Sequence, residues 1–253
     1  MLRIRWIYMK KIQRGVFRFI KYVVTLVYPK TELVGQENLP QEPCILVGNH
    51  SQMHGPILSE IAFPDNTYTW CASEMMYLKE VPAYAYKDFW SRKPRWCRWF
   101  YKILSYVIAP FSVLLFNNAR TIPVYHDKRV LSTFRDTVRH LDDGANIIIF
   151  PEHDVPHNHI VCDFQEGFID TAKLYCKRNG KPLSFVPMYI APALHKIVFG
   201  KPIYFDPEAS LPQERTRLCQ ALMDEITDLA IALPPHRVVP YNNVPKKQHP
   251  QSK

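Results

Sequence analysis

The chain has 253 residues, 47% of them hydrophobic, with 8 glycines, 6 cysteines and a formal net charge of +9. The apolar share is ordinary for a globular protein and glycine is not enriched, so one large domain with appendages and a substantial core is expected. No period of about 20–50 residues recurs, which excludes a repeat array, and the cysteines at 44, 71, 97, 162, 176 and 219 show no CxxC spacing, so they read as reduced, mostly buried thiols.

Residues 1–30 hold Arg3, Arg5, Lys10, Lys11, Arg14, Arg18, Lys21 and Lys30 and no acidic residue. They carry nearly all of the net charge, and the remaining chain is close to neutral. A basic arm can bind nucleic-acid phosphates. Here, however, the cations alternate with Leu2, Ile4, Trp6, Ile7, Tyr8, Ile12, Val16, Phe17, Phe19 and Ile20. Such a mixture suits the interface of an anionic bilayer, where rings sit among headgroups and cations meet anionic lipid. The expected element is an amphipathic, membrane-contacting helix ending near Tyr28–Pro29, on a protein at the cytoplasmic face of the membrane, peripheral or monotopic, with no nucleic-acid partner. The cations run throughout and no small-residue cleavage site follows, so a cleaved signal peptide is not expected.

Leu33–Val34 and Cys44–Val47 read as strands flanking the turn Asn38-Leu39-Pro40-Gln41. Residues 56–62 suit a short helix and Thr67–Ala72 a strand. Residues 77–102 form a second basic–aromatic patch. It has Phe89, Trp90, Trp96, Trp99, Phe100 and Tyr101 among Lys87, Arg92, Lys93, Arg95, Arg98 and Lys102. It is read either as a second membrane contact or as an amphipathic helix on the core. Residues 103–116, ILSYVIAPFSVLLF, are uncharged but interrupted by Pro110, and read as a core or interfacial helix rather than a span. Thr121–Tyr125 is a strand. Leu131–Leu141 is an amphipathic helix stopped by Asp142-Asp143-Gly144, and Asn146–Phe150 is a buried strand. Gln165–Cys176 is a helix, Leu183–Ile190 a strand, Ile197–Tyr204 a strand pair, Leu211–Ala232 a long helix, and the polar end after Pro240 a frayed tail. Strands alternating with helices predict an α/β fold, a mixed sheet flanked by helices. The expected organisation is a helix at residues 1–30, an α/β domain at 31–235 and a tail at 236–253.

The apolar run Cys44–Val47 leads into GNHSQMHG at 48–55. A histidine at the mouth of a strand suits a general base. Yet no acidic residue follows to orient His50, and His54 comes four residues later. The stretch reads as an acid–base site that has lost a part, as half of a metal site, or as a core strand with two incidental histidines.

Three stretches in order resemble the glycerolipid acyltransferase family, which includes the 1-acylglycerol-3-phosphate acyltransferases and related lysophospholipid acyltransferases. They are LVGQENLPQEPCILVGNHSQ, IIIFPEH and FVPMYIAP, with DFQEGF at 163–168 a weaker fourth. The resemblance spans roughly residues 33–204 and implies a glycerol-3-phosphate acyltransferase-like fold. It also implies transfer of an acyl group from acyl-CoA or acyl carrier protein to the hydroxyl of a lysolipid acceptor, with no cofactor. His50 would be the general base, kept neutral by the positive end of a helix dipole. Glu152 would line the acceptor pocket or support the histidine.

The resemblance breaks at defined points. The family's orienting aspartate falls on Gly55, so His54, Glu152 or a backbone carbonyl would have to hold the ring, and Gly55→Asp is expected to preserve or raise activity. The glycine of the Phe-Pro-Glu-Gly block is His153, and the arginine that faces the phosphate is absent. That leaves His126, Lys128 or Arg129, with Arg120 a less direct match, for an anionic headgroup. Two further readings follow. His50, His54, His153, Asp154, His157 and His159 suit zinc or iron and a metal-dependent hydrolase. Alternatively, the missing carboxylate marks a membrane-binding homologue whose site has decayed.

Overall fold

A computed structural model describes residues 2–91 and 93–253, with side chains described from residue 9 onward. The side chains of Leu2, Arg3, Ile4, Arg5, Trp6, Ile7 and Tyr8, and Arg92 as a whole, lie outside the described residues. The first half of the chain forms α1 (Leu2–Val27), β1 (Glu32–Val34), β2 (Ile45–Gly48), α2 (His54–Ile61), β3 (Thr67–Ala72), α3 (Val81–Ala85), α4 (Arg98–Phe116) and β4 (Thr121–Val124). The second half forms α5 (Val130–Asp142), β5 (Asn146–Ile149), β6 (Glu152–Pro156), β7 (Cys162–Phe164), α6 (Asp170–Asn179), β8 (Ser184–Ala191), β9 (Lys196–Phe199), β10 (Ile203–Tyr204) and α7 (Leu211–Ala232). These elements fall into two compact units, one of Met1–Pro29 with Cys71–Lys128, the other of Lys30–Trp70 with Arg129–Lys253. The expected single domain over 31–235 is therefore divided, because residues 71–128 segregate with the N-terminal helix.

In the larger unit the strands run in the order β1-β9-β8-β2-β5-β3, and β10 also pairs with β8. The β1–β9, β8–β2, β2–β5 and β5–β3 pairs are parallel, while β9 and β10 pair antiparallel with β8. Ile45, Leu46 and Val47 on β2, Ile147, Ile148 and Ile149 on β5, and Phe185, Val186 and Met188 on β8 are all buried. A strand covered on both faces has no polar side to alternate with, which is why these segments read as continuous apolar runs. Helix α7 packs on β8 and buries Leu218, Leu222, Ile226 and Ala230 at four-residue spacing; α5 packs on β5 with Val138 and Leu141 inward. Gly144 ends α5 with φ 83°, a left-handed turn that other side chains resist.

The register fixes the position of the site. Val47 pairs with Ile149 and Gly48 with Met188, so β2 and β5 end side by side while β8 runs on past them to Ala191. The chain leaves β2 toward β3 on one side and leaves β8 toward β9 on the other. In open α/β sheets, ligands enter where adjacent strands send the chain in opposite directions.

The smaller unit holds α1, the end of β3, α3, α4 and β4. Val81, Ala85 and Ala109 form its buried centre, with Phe89, Trp90, Ile108 and Val113 packed against them. Helix α4 is not interrupted at Pro110. Residues 95–116 form the one segment, among the described residues, long and apolar enough to cross a membrane, and only 17% of its apolar window is buried. The second basic–aromatic patch is divided: Phe89 and Trp90 pack inward, while Trp96, Trp99 and Phe100 are exposed.

In the larger unit the histidine-rich stretch HDVPHNH, with its candidate metal ligands, does not form an open loop. Residues 152–156 pair with 162–164 as the antiparallel hairpin β6–β7, and Asn158 Oδ1 caps the turn by accepting from the N–H groups of Ile160 and Val161. Nor does the C-terminal segment fray. Buried His236 accepts at Nε2 from the Tyr189 hydroxyl (2.8 Å) and donates from Nδ1 to the Pro234 carbonyl (2.8 Å). Val238 N–H donates to Pro250 O and Ser252 N–H to His236 O, each at 2.9 Å. Residues 239–249 thus form a strap closed at its base on β8. His236→Ala leaves the buried Tyr189 hydroxyl without its acceptor. It should cost about 2–4 kcal/mol of stability, read as a lower urea midpoint at unchanged slope. An unchanged midpoint would return the segment to a frayed tail.

Candidate functional site

The loop after β2 is pinned by Asn49. Its Oδ1 accepts from Ile190 N–H at 2.7 Å, and its Nδ2 donates to Ile190 O at 3.1 Å and to Ser51 Oγ at 2.7 Å. The side chain continues the β2–β8 pairing by one step beyond the strand. Ser51 and Gln52 then adopt left-handed conformations, φ 48° and 55°. Each costs roughly 1–2 kcal/mol for a residue with a Cβ. The surroundings hold them: Ser51 is buried, and Gln52 Nε2 donates to the Asn242 carbonyl on the strap at 2.9 Å.

Phe150-Pro151-Glu152 leaves β5 beside this loop. Glu152 is buried, and its carboxylate joins two main-chain segments. Oε2 accepts from His50 N–H at 2.5 Å and Oε1 from Cys162 N–H at 2.8 Å. Glu152 thus supports the histidine through the backbone rather than through the ring. Burial pushes its pKa up to about 7, against the pull of the two N–H donors.

The His50 ring meets two aromatic rings, Phe150 at 5.4 Å and Tyr241 at 5.7 Å between centroids, both near edge-to-face. Nδ1 is sealed without a hydrogen-bond partner, which leaves Nε2 as the nitrogen open to an incoming group. Burial lowers the pKa to about 4, outweighing the backbone of Gln52 and of His50 itself, which pull upward. The ring is therefore neutral, but not for the expected reason. Helix α2 begins four residues later, at His54, and desolvation rather than a helix dipole excludes the charge.

Gly55 is closely walled in. A Cβ there would lie 2.5 Å from the His50 carbonyl oxygen and 3.1 Å from Phe150 Cζ. The position cannot accept an aspartate without backbone movement, so the expected tolerance of Gly55→Asp is overturned. Phe150 fills the space beside Gly55.

His54, His153, His157 and His159 each face groups of their own. His54 lies near Lys246 and His249 of the strap, and its pKa is lowered by burial and then by those two charges. His153 sits 3.6 Å from Asp163, His157 sits 3.6 Å from Asp224, and His159 Nε2 is 3.4 Å from the Ser252 carbonyl. With these separate partners, no group of three or more His, Cys, Asp or Glu is set to hold a metal among the described residues. Arg120, His126 and Lys128 belong to the smaller unit, and Arg129 precedes α5 in the larger one. Phe150, Asn49 and Tyr241 were not singled out from the sequence. Tyr241 left one signal, an aromatic residue in an otherwise polar end.

The sequence matches no family model and no curated protein. Among solved structures, a 1-acyl-sn-glycerophosphate (LPA) acyltransferase, PlsC, from Thermotoga maritima is similar at 17% identity. The alignment covers 91% of this chain and 84% of that one, with a TM-score of 0.48.

The two buried titrating groups act on stability with opposite sign. Between its ordinary 4.5 and about 7, Glu152 holds a proton in the fold that the unfolded chain releases, so stability falls as pH rises. Between about 4 and its ordinary 6.5, His50 refuses a proton that the unfolded chain takes up, so stability rises with pH. Each contribution is about 3 kcal/mol, and over their shared window they offset. Urea unfolding of Glu152→Gln should therefore show stability rising more steeply from pH 4.5 to 6.5 than in the wild type, and His50→Ala should show the reverse. Parallel profiles for all three proteins would overturn both assignments. Gly55→Asp should lose more than about 2 kcal/mol by the same measurement.

Proposed function

We propose that this protein is an acyltransferase that moves a fatty acyl group from a thioester donor, acyl-CoA or acyl carrier protein, to the hydroxyl of a lysophospholipid at a membrane surface. One observation carries the reading. The three stretches that resemble acyltransferase blocks meet around one histidine: GNHSQ at the end of β2, FPE at the end of β5 and FVPMYIAP along β8, tied by the Asn49–Ile190 and His50–Glu152 hydrogen bonds. In this reading His50 Nε2 takes the proton of the acceptor hydroxyl as its oxygen attacks the thioester carbonyl. The tetrahedral adduct expels the thiolate, which recovers that proton from the imidazolium, leaving an ester and a free thiol.

The membrane side of the reading rests on two exposed apolar surfaces of the smaller unit. On α1, Met9, Ile12, Val16, Phe19, Val23 and Leu26 recur at alternating three- and four-residue spacing and are exposed, with Lys10, Lys11, Arg14 and Arg18 exposed among them. On α4, Ile103, Tyr106, Val107 and Phe111 are exposed. Contiguous apolar surface of this kind beside cations suits a bilayer interface.

A second reading, a membrane-bound homologue without chemistry, is favoured by one observation. The base-competent tautomer carries its proton on Nδ1, which makes no hydrogen bond, and the upward pull of the Gln52 and His50 main chain does not offset burial. A buried orphan donor costs about 1–3 kcal/mol.

Palmitoyl-CoA and a lysophospholipid, with thiol release followed optically, test the reaction. Release by the wild type and loss of at least about a hundredfold in His50→Ala are expected. No release with any lysophospholipid offered would favour the second reading. Deleting residues 1–30 should abolish sedimentation with anionic vesicles, since juxtamembrane cations contribute about 1 kcal/mol each. Undiminished sedimentation would remove α1 from the membrane contact.

A further inference from the structure

We propose that Tyr241, carried on the C-terminal strap, is a positioning residue for the His50 imidazole, so that an aromatic clamp of Tyr241 and Phe150 orients the base in this protein. The inference rests on the acyl-transfer reading for its kinetic consequence, but not for its geometry.

A histidine base needs its ring held in one orientation. A carboxylate bonded to Nδ1 is one solution, and here it is closed: Nδ1 has no partner, and Gly55 has no room for a side chain. The space beside Gly55 is filled by Phe150, whose ring meets His50 at 66°. Tyr241 meets His50 at 85°. Two rings set across the imidazole restrict its rotation about χ2 by contact alone, and near edge-to-face geometry is the favoured arrangement of such pairs.

The strap is built to deliver Tyr241. Its base is closed by the Val238–Pro250 and Ser252–His236 main-chain hydrogen bonds and anchored on β8 by His236 and Tyr189. Its tip is fixed next to Tyr241, where the Asn242 carbonyl accepts from Gln52, two residues after His50. The left-handed conformation of Gln52 aims that side chain at the strap, which gives the strained turn a role. The clamp also covers part of the ring, which is partly buried, and leaves Nε2 open. The charged and titrating groups around it are Glu152, bonded to the His50 main chain, His54 at the start of α2, and Lys246 and His249 on the strap. None is bonded to the imidazole, so burial, to which the two rings contribute and which the main chain of Gln52 and of His50 opposes, governs its titration.

The experiment uses the full chain and two readouts. Titration of the His50 ring nitrogens by NMR needs no turnover, so it tests the clamp even if no thiol is released. In Tyr241→Ala the midpoint should rise from about 4 toward the ordinary 6.5. In Tyr241→Phe, which keeps the ring, it should stay where the wild type has it. Gln52→Ala, which frees the strap tip while keeping Tyr241, should move the midpoint in the same direction by less, and serves if Tyr241→Ala does not fold. With palmitoyl-CoA and a lysophospholipid, Tyr241→Ala should lower kcat roughly 3- to 10-fold with little change in KM. Its acid limb should also shift to higher pH, with Tyr241→Phe recovering most of the rate. An unmoved His50 midpoint in Tyr241→Ala would overturn the proposal. So would equal shifts in the Ala and Phe variants, which would assign the effect to the hydroxyl. Absence of thiol release from the wild type, with the NMR shifts as expected, would remove the acyl-transfer reading and leave the clamp.

Discussion

Glu152 holds the site together from beneath. A buried carboxylate is costly unless its oxygens are satisfied, and here both are, by the N–H groups of His50 and Cys162. One side chain thereby joins the end of β2, the strand it opens and the hairpin partner β7. The hairpin, the turn after β2 and the orientation of the His50 main chain all depend on it. Because the donors are main-chain groups, the interaction fixes backbone position and leaves the imidazole free for other contacts. The burial that raises the Glu152 pKa is matched by the burial that lowers that of His50, and the pair is drawn toward mutual neutrality without a direct bond between side chains.

The ring is then held by packing. A carboxylate partner would fix the tautomer and stabilise the imidazolium; two aromatic rings restrict orientation and exclude water, and they supply no acceptor for Nδ1. The arrangement exchanges electrostatic support for shape. It also makes the site depend on a distant part of the chain, because the second ring arrives on a strap anchored through His236 and Tyr189. The same strap holds Gln52, the second of the two left-handed residues after His50. Strain and its compensation therefore meet at one place, a pattern expected of a functional loop rather than of a passive connection.

The smaller unit has a different character. It buries Met75, Val81, Ala85, Ala109 and Ile122, while apolar faces of α1 and α4 stay exposed. In the function proposed above, an anionic bilayer would cover these faces and meet the cations interleaved on α1.

The strands β2, β3, β5 and β8 and the helices α1, α5 and α7 were legible in the sequence, as was the order of the blocks that meet at His50. They rest on local signals: apolar runs, helical periodicity, the Asp-Asp-Gly stop, and the order of three short blocks. Pro110 misled because proline removes one helix hydrogen bond without necessarily ending the helix. The hairpin at HDVPHNH was not legible, because Asn158 builds its turn from side-chain bonds that composition does not announce. The partition into two units, the main-chain role of Glu152 and the strap over His50 were decided by tertiary structure alone. Each joins residues far apart in the chain, or uses backbone donors that every residue carries. Gly55 shows the limit most plainly. The sequence by itself recorded that a carboxylate was missing; only packing against the His50 carbonyl and Phe150 decided that none could be accommodated, and that the ring had to be held by its neighbours instead.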